Sequence, residues 1–308
     1  MAKKIKRYSI EQQQARWGFL FTVPCLVFFA VFSFYPIFNA FITSLTNRQA
    51  IARTSKFVGL ANYIYLFTKD NGGFSLFNSL RATVVFTFGT FVPMVIISLI
   101  IAVLLMQLRL SSQKGFFQIS FYMPAVLSSV VAASIWMILF DPRGLVNQVS
   151  NMVLFTQGVD YQWLTSDNML QVSTMIVYFW KYIGYFVILF ITGLASIPPT
   201  LYEAATVDGS TKWHTFFHIT LPLLKPTIVL VSIMAMLQCL KTFSTQYMFV
   251  QNGAARQPID VITMNIYNTG IRNGKLGRAS AMSIILFLIM LLLTYLQFKL
   301  SKTDDVEY

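Results

Sequence analysis

Two lysines raise the first chemical question. Lys181 and Lys241 each interrupt an otherwise apolar stretch, about residues 170–195 and 226–250. An ionisable side chain in such a setting is costly unless it is paired, hydrated or used. None of the chain's long apolar stretches contains Asp or Glu that could neutralise them. Three roles stay open: pairing with carbonyls or with a partner's carboxylate, donating to the hydroxyls of a solute, or attracting an anionic solute. Aromatic residues flank both lysines: Tyr178, Trp180, Tyr182, Tyr185, Phe243 and Tyr247. They could stack on a ring-shaped solute, although aromatic stripes in apolar helices ordinarily face lipid or neighbouring helices. Gln238, Thr242, Ser244 and Gln246 add amide and hydroxyl groups.

Other chemistry is thin. His214 and His218 stand at i and i+4, a spacing that could hold a metal, but no third ligand is near in sequence, so no metal site is expected. No nucleophile–base spacing suggests a catalytic centre. The Gly-x-x-x-x-Gly-Lys-Ser/Thr phosphate loop is absent, so the chain has no such device for ATP. Cys25 and Cys239 both fall in apolar stretches and read as small apolar residues.

The elements that must position these residues are membrane helices. Of 308 residues, 56% are hydrophobic and 11% charged, and the mean hydropathy is +0.63. Soluble domains average about a quarter charged residues. Runs free of Asp, Glu, Lys and Arg cover 17–47, 82–108, 115–140 and 279–298. With the two lysine-bearing stretches they make six spans, each near the ~20 residues that cross a bilayer core. The runs do not alternate as barrel strands would. The expected organisation is a basic cytoplasmic segment 1–16, a transmembrane domain 17–298 and a cytoplasmic tail 299–308. Spans are expected at about 19–45, 82–107, 116–140, 170–195, 226–250 and 279–298, with Pro24 and Pro36 bending or ending the first helix.

Orientation rests on Lys and Arg. With the N-terminus inside, inner segments hold 11 of the 23 and outer loops 10. The cluster Lys3, Lys4, Lys6, Arg7 and Arg16 and the shorter inner segments favour both termini inside. The run after this cluster is too long for a signal peptide. Lys181 and Lys241 then lie about 11 and 9 residues from the outer ends, some 14–16 Å deep. The formal charge of +12 suits anionic lipid headgroups, and no basic face with interleaved aromatics suggests nucleic acid.

The inner loop 196–225 is too structured to be a linker. Pro198-Pro199 stop the fourth span. Thr200-Leu-Tyr-Glu203 is a capping-box pattern that predicts a helix capped by Thr200. Asp208-Gly209 predicts a turn with Gly209 at positive φ. A second short helix carries Trp213, Phe216 and Phe217 on one face, and Pro222 is expected to end it. The loop is either a connector resting in the headgroups or a rigid docking projection.

Glu203-Ala204-Ala205, Asp208-Gly209 and Ile219-Thr220-Leu221-Pro222 resemble the EAA loop of ABC-importer permease subunits. Gly193–Ala205, Leu221–Pro226, Phe57-Val-Gly-Leu-Ala-Asn-Tyr63, Phe140-Asp-Pro-Arg-Gly144 and Gly277-Arg-Ala-Ser-Ala281 are similar to the carbohydrate-uptake branch, the maltose and lactose permease type. Two departures bear on the substrate. Lys241-Thr-Phe-Ser244 stands where members often have Lys-x-Phe-Asp, and Asn252-Gly253-Ala254 where many have Gly-Gly-Pro.

The resemblance implies an all-α, six-helix permease of the type I importer fold in a bacterial cell membrane. It implies a second permease subunit, two cytoplasmic ATPase subunits that bind ATP and Mg, and an extracytoplasmic solute-binding protein delivering a sugar or oligosaccharide. No cofactor is implied in this chain. Glu203, Ala204, Ala205, Asp208, Gly209, Ile219, Leu221 and Pro222 would couple to the ATPases. Tyr178, Lys181, Tyr182, Tyr185, Gln238, Lys241, Thr242, Ser244 and Tyr247 are candidates for the substrate pathway. An anionic sugar, another small solute and a secondary transporter are the alternatives.

Overall fold

The computed structural model describes residues 10–52, 54–68, 75–108, 110–153, 155–156 and 159–301. Lys3, Lys4, Lys6 and Arg7 of the basic cluster, and the tail beyond Ser301, lie outside the described residues. The described chain is helical apart from turns and one antiparallel bridge between Thr46 and Phe57.

The first span runs through α1 (Ile10–Phe29), a π-helical turn Ala30–Phe34 and α2 (Tyr35–Ser44). Pro24 sits inside α1 without ending it, and Pro36 opens α2. The π turn widens the helix immediately before Pro36, where the proline nitrogen offers no donor. A short helix, α3 (Ala61–Thr68), precedes the second span, α4 (Leu76–Met106). This helix begins six residues before the uncharged run and takes Arg81 into its first turns. Ser75 caps it by accepting from the Asn78 amide at 3.3 Å.

The third apolar run is not one rod. It folds as α5 (Ser111–Val126) and α6 (Ser129–Leu139), bent by 101° at Leu127-Ser128. Pro124 weakens the last turn of α5, and Ser128 takes an extended φ/ψ and caps α6 through Val131 N. Helix α7 (Leu145–Val153) leads to the fourth span, α8 (Asp167–Ala195). This is the centre of the bundle: Phe186, Val187 and Phe190 are buried among α4, α5 and α12 (Lys225–Leu240). Of its most apolar window 56% is buried within the chain, against none of the first span's.

The fifth span is interrupted as well. It consists of α12 and α13 (Ser244–Gln251), separated by Lys241-Thr242-Phe243. Helix α14 (Ile262–Tyr267), a π turn Asn268–Arg272 and the sixth span, α15 (Leu276–Ser301), complete the chain.

Two of the motifs hold the bundle's end together. The Asn62 amide donates to the Ser44 and Thr46 carbonyls, both at 2.8 Å, closing the end of α2. The Tyr63 hydroxyl lies 2.7 Å from Ser44 Oγ. Gly277 packs so closely against this turn that a Cβ would stand 2.1 Å from the Thr46 carbonyl oxygen. The Phe57–Tyr63 and Gly277–Ala281 segments thus clamp the first and sixth spans.

Candidate functional site

The break in the fifth span forms a cavity of about 430 Å³. Tyr178 and Tyr182 of α8 form one wall; Gln238, Lys241, Thr242 and Ser244 line the other. Met234, Leu237, Phe243 and Thr245 complete it. Six of the nine candidate pathway residues are therefore brought together. The size falls in the range of small-molecule sites, roughly 300–1,000 Å³.

The break is built from backbone and side-chain hydrogen bonds. Thr242 N still bonds the Cys239 carbonyl at 3.1 Å, and Thr242 Oγ1 donates to Gln246 Oε1 at 2.9 Å. The Thr263 hydroxyl of α14 donates to the Thr242 carbonyl, which has lost its helical partner. Backbone polar groups at membrane depth must be satisfied inside the protein, and this bond does so. The Tyr178 hydroxyl donates to the Gln238 carbonyl at 2.9 Å, tying α8 to the last turn of α12. The Tyr178 and Tyr182 rings meet at 4.6 Å. Lys241 and Ser244 are exposed in the middle of a span, so the cavity opens on the chain's own surface.

The remaining candidates lie elsewhere. Lys181 is buried and faces the break of the third span: Nζ donates to Ser129 Oγ at 2.8 Å and stands 5.2 Å from the Tyr182 ring. It does not line the cavity. Tyr185 packs edge-on against Phe186 at 5.2 Å. Tyr247 stacks on Phe243 at 5.0 Å and meets Tyr267 edge-on, outside the cavity wall. Gln246 is fully buried and serves the break itself. Met234, Leu237 and Thr245 carry no sequence signal that marks them as lining residues.

Outside the spans, Asp260 lies almost fully buried beside the start of α4. Arg256 grips it with two bonds, Nε to Oδ1 at 3.0 Å and Nη2 to Oδ2 at 3.1 Å, and Ser79 Oγ stands 3.5 Å away. Burial raises the carboxyl's pKa above its ordinary value; Arg256 and Ser79 pull it back only in part.

The loop 196–225 forms two short helices around a turn. In α9 (Pro199–Val207) the expected capping box is not formed. Pro199 opens the helix with its preset φ, so Thr200 lies inside the first turn and Pro198 takes the cap position without a side-chain bond. Glu203 is exposed, with no partner among the described residues. Gly209 has φ +68° and turns the chain into α10 (Lys212–Thr215), capped by Thr211 Oγ1. Pro222 does not end this segment. A π turn over Phe216–Thr220 absorbs it, and helix continues through α11 (Leu221–Leu223) towards α12. Ala205 is buried, Ile219 and Leu221 half-buried, and Ala204, Asp208 and Pro222 exposed. Trp213 and Phe217 stack at 6.2 Å and stay exposed. The His214 and His218 rings stack at 3.9 Å, and the described residues contain no group of three or more metal-ligating side chains.

Apolar spans around a polar, surface-opening cavity, with a structured helical loop at one end, define a multi-pass membrane transport protein. Residues 71–303 match the model of the binding-protein-dependent transport system inner membrane component, and the chain belongs to that family. It is 30% identical over 290 residues to the probable ABC transporter permease protein YurN of Bacillus subtilis, covering 94% of this chain and 97% of that one. It is 31% identical over 290 residues to the multiple sugar-binding transport system permease protein MsmF of Streptococcus mutans, with the same coverage. Its fold matches a chain of a bacterial alginate ABC transporter in complex with an alginate-bound periplasmic protein (TM-score 0.78, 20% identity, 96% of this chain and 99% of that one).

Proposed function

We propose that the chain is one of two permease subunits that together form the pathway of an ATP-driven importer for a sugar or oligosaccharide. An extracytoplasmic binding protein delivers the solute. Two cytoplasmic ATPase subunits, which would hold ATP and Mg, receive α9 and the turn at Gly209. Both termini and this loop face the cytoplasm. The ATPases carry the catalysis; this chain hydrolyses nothing itself.

The observation that carries the reading is the cavity at the fifth-span break. It combines ring faces with amide, hydroxyl and ammonium groups, the chemistry that holds a polyhydroxylated ring, and it opens outward from the single chain, where a second subunit can close it. The most apolar window of the first span is unburied within the chain, which leaves that face to lipid or to a partner subunit. Glu203, exposed and not used as a cap, is available to bond across the ATPase interface. Trp213 and Phe217 supply an exposed apolar contact on the same projection.

The test is reconstitution of the chain with its permease partner, ATPases and binding protein in proteoliposomes. ATP-driven sugar uptake that requires the binding protein is expected. Uptake that persists without ATP, or a complex that imports no sugar, would overturn the proposal.

A further inference from the structure

We propose that the solute carries a carboxylate, as a uronate-containing oligosaccharide does, and that Lys241 is the residue that meets it. The inference rests on the proposed function and deepens it at the same cavity.

Lys241 closes α12 at the break, ten residues before the end of the span at Gln251, or about 15 Å along the helix. It is the one cation among the cavity's lining residues, and no Asp or Glu lines it. Ser244, three residues on, offers a hydroxyl rather than a carboxylate. Among the described residues no acceptor engages the Lys241 ammonium. The other lysine of the spans is satisfied differently: Lys181 is buried, bonded to Ser129 and removed from the cavity. A cation at this depth is costly without a counter-charge. A carboxylate entering the cavity supplies that charge, while Tyr182 and Phe243 offer ring faces and Gln238 a polar group to the rest of the sugar. The interaction would strengthen on closure of the cavity, because the local dielectric falls.

The complete transporter in proteoliposomes provides the test, with oligogalacturonate and a neutral galacto-oligosaccharide of equal length as probes. Wild type is expected to import the acidic probe at least tenfold faster. Lys241→Gln should lower that ratio tenfold or more, and Lys241→Arg should retain most of it. Ser244→Asp, which places a carboxylate beside the ammonium, should lower it as Lys241→Gln does. Equal or faster import of the neutral probe by wild type would overturn the inference and leave the sugar importer standing. An acidic preference that Lys241→Gln and Ser244→Asp leave unchanged would remove Lys241 from the role and overturn it too. Import of neither probe would overturn this inference, and the proposed function falls with it only if the complex imports no sugar at all.

Discussion

Two interruptions of helix, one at Asp208–Ser210 and one at Lys241–Phe243, solve the same geometric problem in different solvents. In the loop between α9 and α10 the chain turns at Gly209, whose φ of +68° a residue without Cβ adopts freely. A Cβ there would meet nothing within 4 Å, so the turn is set by the backbone preference of one residue. At the break of the fifth span no glycine or proline is present. There the interruption depends on distant partners, since Thr263 reaches across to the Thr242 carbonyl and Tyr178 to the Gln238 carbonyl. Outside the bilayer, freed backbone groups find water. Within it they must find protein.

The largest effect is expected from the turn. Gly209→Val forces a β-branched residue into the left-handed region, at about 1–2 kcal/mol or more. That corresponds to a roughly 5–30-fold loss of the native turn. ATP-driven uptake should fall by a similar factor while the amount of complex in the membrane stays normal. Wild-type uptake by this variant would mean that the turn does not transmit force.

The break should respond through stability. Thr263→Val keeps the shape but strands the Thr242 carbonyl, a loss of about 1–3 kcal/mol. Thermal melting of the purified complex should drop by several degrees, and Thr263→Ser should restore it. Equal melting of the Val and Ser variants would contradict this account of the break.

Lys181 sharpens the contrast within the membrane. Ser129→Ala removes the partner of a buried ammonium, at about 1.5–3 kcal/mol. Lys181→Met removes the charge itself with a side chain of similar length, and should be close to neutral in stability. The acidic-to-neutral uptake ratio should not change in Lys181→Met. A changed ratio would return Lys181 to the substrate pathway.

The smallest effect concerns Asp260. The folded-state pKa of Asp260 is raised, so its contribution to stability is complete below the ordinary carboxylate pKa near 4. It is lost as pH rises through the folded value. The Asp260→Asn variant, which mimics the protonated form, should melt above or level with wild type at pH 7. The gap should close as pH falls towards 4. A gap that widens on acidification would show that Arg256 outweighs burial.

Several features are legible in the residues themselves because they depend on local chemistry. Uncharged runs of 20 or more residues mark spans, as bilayer thickness sets their length. Gly209 marks a turn by its lack of a Cβ. The expectations that fail are those where a local pattern competes with its neighbourhood. Thr200-x-x-Glu203 has the spelling of a capping box, but Pro199 already supplies the helix start one residue earlier. Pro222 has the spelling of a stop, but a π turn absorbs it. The third and fifth apolar runs look continuous because lipid-facing composition does not change at a break.

By itself, then, the sequence determined that this chain lives in the membrane, which apolar stretches are its candidate spans, and which loop turns at a glycine. The terms responsible, transfer of apolar residues into lipid and the conformational freedom of glycine, act residue by residue. Tertiary structure alone decided which polar residues share a cavity. Lys181 and Lys241 look alike in sequence, each a single charge in an apolar stretch. Helix rotation about α8 and the break after α12 send one to Ser129 and leave the other at an open cavity. Such a difference arises from packing between segments more than 50 residues apart, which no local pattern encodes.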